Sequence, residues 1–153
     1  MTAVDLKIGF NQAVAAFKQA DVDCQLAVLD HAYRNLRRAI ASPAPAALFS
    51  QVVNHLIRQL QQVRREDRAE ALREVLTEAD TRFGREYSTL NVNMRLAFWY
   101  RLARNLDPAL TNVTRECQDG SETVQSITQL FDEMDLNQQM HFLRQILSSD
   151  AVH

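Results

Sequence analysis

The sequence predicts an all-α fold, and two observations carry that prediction. Only three glycines and three prolines occur in 153 residues, whereas β-rich chains need a turn residue roughly every 8–12 positions. Apolar residues also recur at three- and four-residue spacing along most of the chain, the period of a helix with one buried face.

The first helix is expected over Val4 to Lys18, with Ile8, Phe10, Val14 and Phe17 near helical spacing. "QADVD" breaks it and supplies Asp21 and Asp23 as candidate N-caps, since a short carboxylate can accept from the free amides of a first turn. The next helix, Cys24 to Ala41, carries Val28, Leu29, Ala32, Tyr33, Leu36 and Ile40 on one side. Pro43 and Pro45 in "SPAPAA" end it, because proline and the residue before it resist helix. A third helix follows from about Ala46 to Val63, with Leu48, Val52, Leu56 and Leu60 inward.

"RREDRAEALREVLTEAD" reads as a fourth helix, apolar at Ala71, Leu72, Val75 and Leu76 and charged on its solvated face. Gly84 is expected in a loop, "DTRFGREYSTLN", before the helix that carries Phe98, Trp99 and Tyr100. Pro108 marks the end of that helix, and "QDGSE" is the next turn. Two last helices begin with Ser121 and Asp135 as N-caps. The expectation is one domain over residues 1–153 with about seven or eight helices and no internal repeat or linker.

The aromatic triplet raises a packing problem. Successive helical side chains point about 100° apart, so Phe98, Trp99 and Tyr100 cannot all face one core from a surface helix.

A net charge of −2 offers no broad attraction to nucleic acid or anionic membrane. No run approaches the ~20 apolar residues of a membrane span. Lys7 and Lys18 are the only lysines among 17 basic side chains, so the positive charge is almost all arginine, which favours bidentate and stacked contacts. Cys24 and Cys117 lack CxxC or zinc spacing, and two buried free thiols in a reducing cytoplasm are expected. His31, His55, His141 and His153 form no ligand pair, and Asp30-His31 are neighbours that point apart on a helix, which suits a surface or packing role. No nucleophile, phosphate-loop or metal motif is present, so a non-enzymatic role is expected.

Four stretches together carry a family resemblance. "NVNMRLAFWYRLARNLD" resembles the helical N-terminal domain of the cyanobacterial orange carotenoid protein and the free-standing helical carotenoid proteins. "AAFKQADVDCQLAVLDHAY", "ADTRFGREY" and "MDLNQQMHFLRQIL" are similar to that family's early, middle and closing patterns, in order, from about Phe10 to Leu147. The resemblance implies two packed helical bundles with a carotenoid threaded between them. It implies that Leu26, Tyr33 and Trp99 line the pigment, and that Arg144 contacts a protein partner such as the light-harvesting antenna, the phycobilisome. Asp30, Leu90 and Gln118 stand where the family has aromatic residues, and the early N-terminal segment is shorter. An unpaired carboxylate beside a polyene is costly, so Asp30 is expected in a polar setting, with Arg34 at i+4 as first partner.

Two functions follow. One is a carotenoid-binding photoprotective protein that dissipates excitation or quenches singlet oxygen. The other is a pigment-free relative acting as an adaptor on antenna or other photosynthetic components. Either places the chain in the cytoplasm, where a protein partner could hold it at the thylakoid's cytoplasmic face. Self-association is left open.

Overall fold

The computed structural model describes residues 9–36, 51–104, 117 and 121–148. Among them are eight helices and no strand: α1 (Phe10–Gln19), α2 (Val22–Leu36), α3 (Gln51–Gln62), α4 (Arg65–Leu76), α5 (Arg82–Ser88), α6 (Val92–Arg104), α7 (Glu122–Glu133) and α8 (Leu136–Leu147). The expected stretches 37–50 and 105–116, with Ile40, Leu48 and Pro108, lie outside the described residues, as does Gln118.

The helix starts follow from local chemistry. Ser121 accepts from the Val124 amide at 3.2 Å. Asp135 accepts from the Gln138 amide at 2.8 Å, while the Gln138 side chain accepts from the Asp135 amide at 3.0 Å, a reciprocal cap. Helix α2 begins at Val22, two residues before the expected Cys24, because the Asp21 carbonyl already receives the Gln25 amide at 2.9 Å. Within the charge run, Arg68 turns back onto the carbonyls of Gln61 and Val63 at 2.8 and 3.0 Å and closes the α3–α4 corner.

Helices α1, α2, α7 and α8 pack as one group, and α3 to α6 as a second. Helix α6 meets α2 and α8 across the boundary, and α4 also touches α2. The two bundles implied by the resemblance are therefore present, with α6 at their seam. Phe98, Trp99 and Tyr100 are all buried, as is every residue from Arg95 to Tyr100. A helix with neighbours on every side has no solvent face to spare, which resolves the packing of the triplet. Burying each such large apolar side chain contributes roughly 1.5–3 kcal/mol.

Three expectations are corrected. In α3, Leu56 and Leu60 face inward as expected, together with Val53 and Ile57, but Val52 is 47% exposed. Gly84 lies inside α5, not in a loop, and its amide donates to Thr81 Oγ1 at 3.3 Å. Cys24 and Cys117 are joined in a disulfide. The fold brings residues 93 apart in sequence to a Cα separation of 5.2 Å, within the bridging range.

A side chain at Gly84 would overlap the backbone of Ala79, including its carbonyl oxygen. Backbone cannot move aside as a flexible side chain can. Gly84→Ala is expected to lower stability by about 1–3 kcal/mol, read from urea unfolding; an unchanged midpoint would show that the α4–α5 corner yields.

Candidate functional site

The seam between α2 and α6 collects most of the expected site residues. Leu26 and Tyr33 on α2 and Trp99 on α6 are all at most 1% exposed. The polar atoms of both aromatics are already engaged. Tyr33 Oη donates to the Leu96 carbonyl at 3.1 Å, and Trp99 Nε1 donates to Tyr87 Oη at 2.8 Å. Trp99 also meets the rings of Phe98 and Tyr87 edge-on, at 5.0 and 6.1 Å between centroids.

Asp30 is buried on the same helix, and Arg34 Nε donates to its Oδ1 at 3.1 Å. The expected polar setting and partner are both found. Leu90 is buried at the start of α6, where its amide donates to the Tyr87 carbonyl at 3.0 Å. Arg144 lies on α8, partly buried, and its Nη1 donates to Asn93 Oδ1 on α6 at 2.7 Å. His31 reaches across to Asp132 on α7 at 2.8 Å, a packing role.

Arg95 was not singled out by sequence, yet it organises the lower half of the seam. It is 4% exposed. Its guanidinium donates to the carbonyls of Leu90 (3.0 Å), Ser88 (3.2 Å) and Leu147 (3.0 Å). It also pairs with both oxygens of Glu78, at 3.3 and 3.4 Å, and lies 4.7 Å over the Tyr87 ring. The free carbonyls at the ends of α5 and α8 thus find donors in one side chain. Glu78 reaches it from a backbone position with φ of 52°. The available signal was an arginine three residues before Phe98, on the helix that carries the aromatic triplet.

A cavity of about 430 Å³ lies against this cluster, lined by Phe17, Gln25, Glu78, Tyr87, Arg95 and Leu147 among others. Among the described residues no group of three or more His, Cys, Asp or Glu side chains could hold a metal. No described helix is long and apolar enough to cross a membrane.

Burial raises the Tyr33 phenol well above its usual value; Tyr87 adds to this and Arg144 pulls it back. Burial raises Tyr87 as well, against the hydrogen bond from Trp99 and the charge of Arg95.

The family model described as "Orange carotenoid protein, N-terminal" matches residues 5–151. A Nostoc relative named orange carotenoid-binding domain-containing protein is 28% identical over 144 residues, covering 91% of this chain and 81% of the relative. The orange carotenoid-binding protein of Limnospira maxima is 28% identical over 131 residues, covering 86% of this chain and 41% of that protein. The solved structure of Fremyella diplosiphon OCP1 superposes with a TM-score of 0.70 at 27% identity, covering 90% of this chain and 43% of that one. The fold is also that of the Anabaena (Nostoc) Red Carotenoid Protein binding canthaxanthin, with a TM-score of 0.68 at 22% identity, covering 91% of this chain and 95% of that one.

Two predictions follow from this geometry. Both tyrosines titrate near 10 when unfolded, and their folded values are higher. Their stabilising effect is therefore complete below about pH 10 and is lost as pH rises further, by about 1.4 kcal/mol per pH unit for each tyrosine. Chemical denaturation across alkaline pH should show that slope and a shallower one for Tyr33→Phe; identical slopes would place Tyr33 in contact with solvent. Replacing Arg95 by Met leaves buried carbonyls unmet and should cost about 3 kcal/mol. Arg95→Lys should recover little of it, because an ammonium cannot reach the same fork of acceptors; full recovery would show that charge alone matters.

Proposed function

The chain belongs to the orange carotenoid protein N-terminal family, and we propose that it is a non-enzymatic carotenoid-binding protein of photoprotection. The observation that carries this reading is the burial of Leu26 and Tyr33 on α2 and of Trp99 on α6, two helices that pack on each other across the boundary of the two bundles, within a family match that covers nearly the whole chain.

The chemistry of the seam suits a polyene, which presents a long apolar surface and few hydrogen-bonding groups. Tyr33 and Trp99 satisfy their own donors internally, so their ring faces are what remains to offer a ligand. The Asp30 charge is met by Arg34, and Leu90 adds an apolar side chain where the family has an aromatic. Leu26, Tyr33 and Trp99 would form the wall, and a pigment bound there supplies a sink for excitation energy or for singlet oxygen. Their near-zero exposure means that α2 and α6 must part for the pigment to enter. Arg144, partly exposed beside the seam, is the candidate contact for a protein partner such as the light-harvesting antenna.

A second reading has its own support. Asp30 and Arg34 form an ion pair where the family carries an aromatic. A chain that has lost the pigment would act as an adaptor, with Arg144 again at its docking face.

Expression in a carotenoid-producing host separates the two. The pigment reading predicts a coloured protein whose visible absorption co-elutes with the chain. Trp99→Phe should keep the colour, and Trp99→Ala should lose it along with roughly 3–5 kcal/mol of stability. Colourless wild-type protein that remains colourless as Asp30→Trp/Leu90→Trp would leave the adaptor reading in place.

A further inference from the structure

Charge is sorted between two helices, one in each bundle. The stretch from Gln51 to Arg65, which holds α3, contains no aspartate or glutamate and carries Arg58, Arg64 and Arg65. The stretch from Ser121 to Leu143, which holds α7 and most of α8, contains no lysine or arginine and carries Glu122, Asp132, Glu133 and Asp135. Arg73, Arg85 and Arg95 of the second bundle each hold a carboxylate. Arg58, Arg64 and Arg65 hold none among the described residues. Glu66 and Asp67 follow in the first turn of α4, where the helix dipole favours them.

Both helices turn these charges outward. On α3, Gln51, His55, Arg58 and Gln62 are exposed, at i, i+4, i+7 and i+11, which is one stripe of a helix. On α7, Glu122, Ser126, Gln129 and Glu133 are exposed at the same spacing. Each helix is 12 residues long, so the stripes match in length. Val52 flanks the stripe of α3 and is the one large apolar side chain exposed among the described residues. Glu86 of α5 meets His55 at 3.2 Å, so the arginines set the sign of the α3 stripe. Helix α3 packs mainly on α5 and α6, and α7 mainly on α1 and α2. The two stripes therefore do not meet within one chain, and their attraction is available between copies. An exposed ion pair contributes little on its own. Several acting between faces of opposite sign hold a weak contact that salt screens.

We propose that this chain associates with itself head to tail, the α3 stripe of one copy lying on the α7 stripe of the next. Laid in the same direction, the helices bring Arg58, Arg64 and Arg65 towards the end of α7 that carries Glu133 and Asp135. The contact joins two different patches, so copies add in series, to a ring or an open chain, rather than as a two-fold dimer. Each stripe is on the solvent side of its helix, so the contact between α2 and α6 is left as it is. Association is the same with or without pigment.

The test is sedimentation of the full chain from about 10 μM to about 1 mM, in low salt and in about 1 M salt, where the screening length falls to ~3 Å. The weight-average mass should rise with concentration in low salt and return to the monomer value in high salt. Arg58→Glu/Arg65→Glu and Glu122→Lys/Glu133→Lys should each keep the helical circular dichroism of the wild type and associate about tenfold more weakly or less. An equimolar mixture of the two variants should regain association, because each then meets a stripe of opposite sign. A wild-type chain that stays monomeric in low salt would overturn the proposal and leave the α3 stripe to an acidic partner of another kind. Association that persists unchanged in high salt would overturn it too, as would a mixture no more associated than its components. The wild-type salt comparison decides without any variant, should a substitution unsettle the fold.

Discussion

A helix covered on all sides can carry a charge only where every donor of that charge is met, and Arg95 in α6 lives under that constraint. Its guanidinium takes up carbonyls from the ends of α5 and α8, both oxygens of Glu78, and the face of Tyr87. The partners come from three parts of the chain: Glu78 after α4, Tyr87, Ser88 and Leu90 around the end of α5, and Leu147 at the end of α8. The same contacts hold Tyr87 where its hydroxyl receives the Trp99 indole. The orientation of the tryptophan thus depends on a cation that acts on it through Tyr87.

The seam has two characters along its length. Around Arg95 it is polar, fully paired and costly to open, because every broken contact strands a buried group. Around Leu26, Tyr33 and Trp99 it is held by apolar packing, with one hydrogen bond from Tyr33 to the backbone of α6. Apolar contacts can be exchanged for contacts with an apolar ligand at little net cost, whereas the polar cluster cannot. A polyene entering between the bundles would find its place at the second region, with the first as a fixed pivot. Asp30 does not upset this division, since Arg34 already neutralises it from the solvent side.

Much of this was legible in the sequence. Helical periodicity, sparse glycine and the Ser121 and Asp135 caps come from local chemistry, and local chemistry set those elements. The Asp30–Arg34 pair was legible for the same reason, as an i,i+4 spacing. What the sequence hid was long-range. Nothing near Cys24 announces that Cys117 returns to it across an entire bundle. Gly84 reads as a loop residue until Ala79 is seen pressed against it. Val52 and Val53 are both apolar, and only the direction of approach of α6 decides which is buried. Arg95 looks like one arginine among fifteen until its neighbours close around it.

Trp99 is the only tryptophan in the chain, so its fluorescence reports on α6 and its immediate surroundings alone. Titration with carotenoid in detergent micelles, followed by Trp99 emission, tests the claim that pigment binds between α2 and α6. Contact with a polyene should quench that emission saturably, with an end point at one pigment per chain. Emission that falls no further than with a surface-accessible tryptophan standard, and shows no saturation, would place the pigment elsewhere or nowhere on this protein.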